Sequence, residues 1–97
     1  MAMTKTDQEL ITKWIEPDPD ERGPQEARLK QYGISAWAII GVWKKSGGDI
    51  EAVISNYEVP REAVEAMLAL YRRYAPYIDA RILLNDAAFE DWSSLVD

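Results

Sequence analysis

Residues 34–85 carry apolar side chains at the spacing of an α-helix. Positions three, four and seven residues apart face the same side of a helix, so this spacing predicts helices with one buried face. Three helical segments are predicted on this basis, over 36–45, 50–57 and from 60 onward. Their apolar positions are Trp37, Ile39, Ile40, Val42 and Trp43, then Ile50, Val53, Ile54 and Tyr57, then Ala63, Val64, Met67, Leu68, Tyr71 and Tyr74.

Polar and glycine residues predict where these helices begin and end. Ser35 is a natural N-cap for the first, Ser46-Gly47-Gly48 breaks it, and Asp49 caps the second. The turn Tyr57-Glu58-Val59 follows, and Pro60 stands where a first helical residue would stand. The first of these helices is apolar around most of its circumference, so it is either the central core helix or part of a subunit interface.

Pro76 interrupts the third helical segment. Its ring clashes with the carbonyl four residues earlier, at Arg72, so the helix is expected to kink or stop there. Ile78, Ile82 and Leu83 continue an apolar stripe to about Asn85.

The first 33 residues predict two further short helices. Thr6 and Glu9 fit a capping box at the start of a helix that ends near Glu16. Three prolines and a glycine then make residues 17–24 a loop. Residues 25–32 favour a helix, which Gly33 is placed to end in a left-handed conformation.

These elements predict a small all-α protein with a helix-turn-helix core. Ninety-seven residues make one domain with a modest core. Within it we distinguish an N-terminal extension over 1–33, the helix-turn-helix domain over 34–85, and a C-terminal tail over 86–97.

The residue inventory argues against catalysis. The chain has no histidine, no cysteine and no glycine-rich phosphate loop, so acid–base or metal chemistry would rest on shifted carboxylates or lysines. The sequence therefore predicts a protein that is not an enzyme and has no cofactor. The longest apolar stretch, 34–43, is far shorter than the roughly 20 residues of a membrane span, and no leader opens the chain. A cytoplasmic protein is expected.

The net charge of −6 is unevenly distributed. Residues 1–26 hold three basic against seven acidic side chains, and residues 86–97 hold four acids and no base. Residues 27–85 hold eight basic against six acidic side chains, a net +2. A mildly basic centre can offer a local patch to phosphate, although a solubilising charge pattern explains the same distribution.

Two short helices joined by a tight turn, the second one longer, suit a DNA-binding helix-turn-helix. On that reading Arg61 reaches base edges, while Lys44, Lys45, Arg72 and Arg73 contact phosphates. These cations have an alternative role, because at helical spacing the arginines can be solvated or paired with Glu65 or Asp79.

Several linked motifs resemble a known bacterial family, domain of unknown function 433. The match spans about residues 34–85 and rests on Trp37-Ala38-Ile39-Ile40, Gly47-Gly48-Asp49-Ile50-Glu51, Tyr57-Glu58-Val59-Pro60-Arg61-Glu62-Ala63-Val64-Glu65-Ala66, Tyr71 and Ile78-Asp79-Ala80-Arg81. Members look like homeodomain-type helix-turn-helix proteins, and some are antitoxins encoded beside nuclease toxins of the PIN-domain type. The resemblance implies a homodimer that binds its own promoter.

The C-terminal tail predicts a second kind of surface. Phe89, Trp92 and Val96 fall at i, i+3 and i+7 with Leu95 beside them, and acids occupy the other sides. Such a helix suits docking in a groove of a partner, for example a nuclease toxin, although the same aromatics can instead fold back on Trp14 and Ile15. We therefore expect an antitoxin-like DNA-binding regulator, and as the alternative a protein-interaction module that keeps the fold without binding DNA.

Overall fold

The computed structural model describes the backbone of residues 6–18 and 21–96, and the side chains of those residues up to Asp86. In this part of the chain four helices and two short strands follow one another. The helices are α1 (Asp7–Trp14), α2 (Ala36–Lys45), α3 (Ile50–Tyr57) and α4 (Arg61–Val96), and the strands are β1 (Ile15–Glu16) and β2 (Arg28–Leu29). The protein is mostly helical, as predicted, with a small sheet that the sequence pattern did not predict.

The N-cap role predicted for Thr6 at the start of α1 is confirmed, and Glu9 contacts the Thr6 hydroxyl, not its backbone N–H. The Thr6 hydroxyl accepts a hydrogen bond from the backbone N–H of Glu9 at 3.2 Å and donates to the Glu9 carboxylate, also at 3.2 Å. Helix α1 ends at Trp14, and Ile15 turns to extended backbone because it pairs with a strand.

The helix predicted over 25–32 is wrong. Only Pro24–Glu26 form a single 3₁₀ turn, after which β2 pairs antiparallel with β1, with Ile15 opposite Leu29. Leu29 is 1% exposed, so burial of this side chain in the common core outweighs the helical preference of its neighbours. Gly33 does adopt the left-handed conformation, at φ 69°, but it closes the turn after β2.

The predicted bounds of α2 and α3 are confirmed. Asp49 caps α3 by accepting from the Glu51 N–H at 3.0 Å, whereas Ser35 makes no side-chain cap bond. The Ala36 N–H instead donates to the Ala27 carbonyl at 2.8 Å, which ties the start of α2 to the segment before β2. Glu58 ends α3 in the left-handed region.

Helix α4 is the centre of the packing and contacts α1, α2 and α3. Its first three turns bury Ala63, Val64, Ala66, Met67 and Ala69 almost completely. Residues from the N-terminal third of the chain share this core. They are Leu10, Ile15, Ala27 and Leu29. Residues 6–18 and 21–33 are therefore packed as part of the same body as the helices that follow.

Helix α2 contributes its apolar surplus to the same core. Ala36, Ile39 and Ile40 are fully buried, and Trp37, Val42 and Trp43 pack partly against the buried cluster. Of the two roles expected for this helix, the structure gives it that of a core helix. Across the described helices, no stretch has both the length and the apolar character that crossing a bilayer requires.

Candidate functional site

A kink divides α4 into two parts. Tyr74 leaves helical geometry, at φ −128° and ψ 31°, two residues before Pro76. The kink predicted from the clash of a proline ring with the preceding turn is confirmed. We call the part after the kink, from Pro76 onward, the post-kink segment.

The inner side of the post-kink segment is held to α2 by one buried residue and a charged contact. Ile78 is fully buried, and Ile82 packs partly against the core. Asp79 accepts from the Lys44 ammonium at 2.6 Å and from the Tyr71 hydroxyl at 2.8 Å. The hydrogen bond from Lys44 holds the pKa of Asp79 below its ordinary value, and the same bond raises the pKa of Lys44.

Two more charged contacts tie this side to the rest of the domain. The Arg81 guanidinium lies 3.3 Å from the Glu26 carboxylate and 4.2 Å above the Trp37 ring. Further along, the ammonium of Lys45 lies 3.8 Å from the carboxylate of Asp86. The described charges of the post-kink segment are therefore directed toward partners in the same chain.

The opposite side of the post-kink segment is apolar and open to solvent. Tyr77 is 59% exposed, Leu83 is 69% exposed and Leu84 is 64% exposed, with the exposed Pro76 and Ala80 between or beside them. We call these five residues the outer face. A helix packed on a globular domain ordinarily has one apolar side, which is buried, so the post-kink segment is unusual in having a second apolar side that faces water.

Leu83 is the residue at which the sequence interpretation was wrong. The pattern placed it on one stripe with Ile78 and Ile82, but residues five apart in a helix lie about 140° apart. The sequence did contain a signal for a second, exposed apolar side. Tyr77, Ala80 and Leu84 repeat at i, i+3 and i+7, which predicts a second apolar side opposite the stripe of Ile78 and Ile82.

The cations predicted to contact DNA are mostly engaged with carboxylates. Arg61 contacts Glu51 and lies 3.8 Å from Glu65. Arg72 forms a bidentate pair with Asp7, at 2.7 and 3.1 Å, which lowers the pKa of that carboxyl.

The remaining predicted phosphate contacts follow the same pattern, with one exception. Lys44 and Lys45 pair with acids of the post-kink segment, as described above. Arg73 donates to the neutral amide oxygen of Gln8 at 2.7 Å. The structure therefore neutralises four of the five cations at separate contacts with α1, α3 and the post-kink segment.

The start of α4 leaves little basic surface for a DNA groove. Between Arg61 and Leu70 the side chains that reach solvent include two acids, Glu62 and Glu65. Glu62 accepts from Lys13 and from the Trp14 indole, each at 2.9 Å. Since Asp7 pairs with Arg72 at the other end, α1 runs antiparallel along this part of α4 and covers one of its sides.

The predicted partner-binding residues of the tail, Phe89, Trp92, Leu95 and Val96, lie outside the described side chains. The backbone of α4 continues as a helix through this region to Val96. The tail is thus the direct continuation of the post-kink segment.

A cleft of about 490 Å³ lies between α1, the proline-containing loop and α4. Ile11, Ile15, Leu70 and Tyr74 give it a mainly apolar wall, and Arg73 stands among its lining residues. In the described part of the chain no three acidic side chains gather in a metal-ligating cluster.

Comparison with family models, with curated proteins and with solved structures finds no match. The resemblance to domain of unknown function 433 therefore stays a prediction that rests on the motifs quoted above.

Proposed function

We propose that this chain is a non-enzymatic protein-interaction module that binds its partner through the outer face of α4. The observation that carries this proposal is the second, exposed apolar side of the post-kink segment. The described charges of this segment are paired with residues of the same chain, whereas Tyr77, Leu83 and Leu84 point to solvent.

The energetics of burial favour a partner at this face. Removing a leucine side chain from water yields about 1.5–3 kcal/mol, and three large side chains of the outer face are each more than half exposed. The described residues of this face carry no charge that a partner would have to desolvate. A compact apolar patch bordered by charged residues is the usual composition of the centre of a protein–protein interface.

The domain itself does not need the outer face for its stability. The post-kink segment is anchored by Ile78, by Ile82 and by the ion pairs of Asp79 with Lys44 and of Arg81 with Glu26. Tyr77, Leu83 and Leu84 stay more than half in water and so contribute little burial to folding, which leaves their apolar surface available for binding.

Site-specific photo-cross-linking tests this proposal. A photoreactive phenylalanine derivative replaces Leu83 in the full chain, in cells that normally express the protein, and the matched control carries it at Ser55, an exposed position on α3. We expect protein adducts from position 83 and few from position 55. Equal or absent adducts at both positions would contradict the proposal.

A DNA-binding, antitoxin-like regulator with a homeodomain-like core is the second candidate. The observation in its favour is the connection of α3 to α4, in which the left-handed Glu58 and Pro60 give a three-residue turn between the helices. On this candidate residues 86–97 dock on a nuclease toxin, and the paired cations exchange their carboxylates for phosphates.

Salt dependence of DNA binding decides this second candidate. A protein that neutralises phosphates loses affinity steeply with salt, with a log–log slope of about 0.9 for each phosphate contact. The titration uses the DNA upstream of the protein's own coding sequence, with a scrambled duplex as control. A weak and flat response at low salt rules the DNA candidate out and leaves the interaction module.

A further inference from the structure

We propose that the partner covering the outer face is a second copy of this chain, which packs antiparallel against the first about a two-fold axis at Ala80. This inference rests on the proposed function, because it identifies the protein that the interaction module binds. Its basis is the symmetry of the outer face around that small residue.

Ala80 is the midpoint of the outer face. Residues two apart in a helix lie about 200° apart, so Ala80 points away from the core positions of Ile78 and Ile82. Tyr77 lies three residues before Ala80 and Leu83 three residues after it, and Pro76 and Leu84 lie four before and four after. When the direction of the helix is reversed about Ala80, Tyr77 therefore takes the position of Leu83, and Pro76 takes the position of Leu84. Apolar positions thus coincide with apolar positions.

In an antiparallel pair of post-kink segments, this order places the apolar residues of the two copies opposite each other. With Ala80 facing Ala80 of the second copy, each Tyr77 packs against a Leu83 and each Leu84 against a Pro76. The alanine pair at the axis lets the two helices approach within the usual interaxial distance of about 8–10 Å. An interface of this kind is self-complementary, which is the requirement for a closed two-fold dimer.

Charge favours a second copy in the antiparallel direction. Arg73, which among the described residues donates only to the neutral amide of Gln8, precedes the outer face, and Glu90, Asp91 and Asp97 follow it in the sequence. Reversal brings the basic end of one copy toward the acidic end of the other. A parallel pair would place acids near acids, and like charges repel each other.

Because the chain has no cysteine, single-cysteine variants report which residues face each other. Helices about 8–10 Å apart, each with its Cα atoms on a cylinder of about 2.3 Å radius, bring facing Cα atoms to about 3.4–5.4 Å. A disulfide joins Cα atoms about 4.4–6.8 Å apart, so it spans the upper part of this range. We therefore expect Ala80→Cys to form a disulfide-linked dimer on mild oxidation, and Ser55→Cys, equally exposed but on α3, to remain monomeric.

Two further variants keep the test specific. Adding Leu83→Lys to Ala80→Cys puts a charge into the proposed contact and should abolish the cross-link, whereas adding Asn56→Lys should leave it intact. Circular dichroism of each variant confirms that the helices remain folded. Sedimentation of the unmodified protein at about 0.1–1 mM, a range suited to a small interface, should show a dimer that Leu83→Lys converts to a monomer.

The outcomes separate this inference from the proposed function. If Ala80→Cys cross-links no faster than Ser55→Cys and the unmodified protein sediments as a monomer, the second copy is excluded. The interaction module then still stands, provided that the photoreactive group at position 83 captures a different protein. If it captures none, both proposals fail.

Discussion

Asp79 is the residue that joins the post-kink segment to the domain most directly. Its carboxylate accepts from Lys44 and from Tyr71, and the ammonium of Lys44 also lies 5.4 Å from the centre of the Tyr71 ring. These groups remain partly exposed to water, so the ion pair contributes modestly to stability. Its larger effect is to fix which side of the segment faces inward, and therefore which side is left for binding.

The lowered pKa of Asp79 predicts an acid-sensitive stability. A carboxyl whose folded pKa lies below its unfolded value contributes stability above the unfolded pKa, near 4, and loses it as the pH falls through the folded pKa. Lys44 has a raised folded pKa, so its side of the pair is lost only as the pH rises through that value in the alkaline range.

We expect Asp79→Asn to lower the free energy of unfolding by about 0.5–1 kcal/mol at pH 7. The difference from the unmodified protein should begin to shrink as the pH falls below about 4, where Asp79 of the unfolded chain becomes protonated. It should disappear once the pH has fallen through the lower folded pKa, because Asp79 is then protonated in both states. Urea denaturation at pH 3, 5 and 7 measures it, with Glu16→Gln as control, an exposed acid whose side chain has no partner among the described residues. A constant difference across this range would contradict the assignment.

At the scale of secondary-structure elements, the sequence predicted those helices whose apolar residues repeat at helical spacing and whose boundaries are marked by glycines or N-cap residues. Helix α2 ends and helix α3 begins where Ser46-Gly47-Gly48 and Asp49 predict these boundaries, because glycine and N-cap chemistry act locally. The kink at Pro76 is local in the same sense. Such features depend on a few neighbouring residues and can be inferred without a fold.

The strand pair could not be predicted in this way. Residues 25–32 are helix-prone, but β2 forms because its partner strand β1 lies thirteen residues earlier, and because Leu29 enters a core built by α2 and α4. Positive backbone angles at Gln31 and Gly33 then close the turn. Long-range pairing of this kind leaves no periodic signal in two-residue strands.

The candidate site was partly visible in the sequence. The basic residues Arg61, Arg72 and Arg73 could be identified, but their carboxylate and amide partners come from α1 and α3, so the pairing depends on the fold. The outer face was missed because the segment is apolar on two sides. Periodicity alone does not say which of two apolar sides is buried.

At the scale of the whole molecule, one long helix gives the protein its shape. The principal extents of the molecule are 58 × 29 × 23 Å. Helix α4 passes through the core at Met67 and continues beyond its contacts with α2. Acidic residues are concentrated toward both ends of the sequence. A compact body whose long helix carries an exposed apolar face over residues 76–84 is the form expected of a module that associates with another protein chain.

The most direct test of this account asks whether the outer face is covered by another chain in the protein's native setting. Leu83→Cys and Ser55→Cys introduce the only thiol into otherwise unchanged chains. Maleimide labelling is compared between dilute purified protein and the intact cells that express it. We expect labelling at position 83 to slow about tenfold in cells relative to position 55, as about 90% occupancy of the face requires. Equal relative rates in the two settings would show the outer face uncovered and would contradict the account.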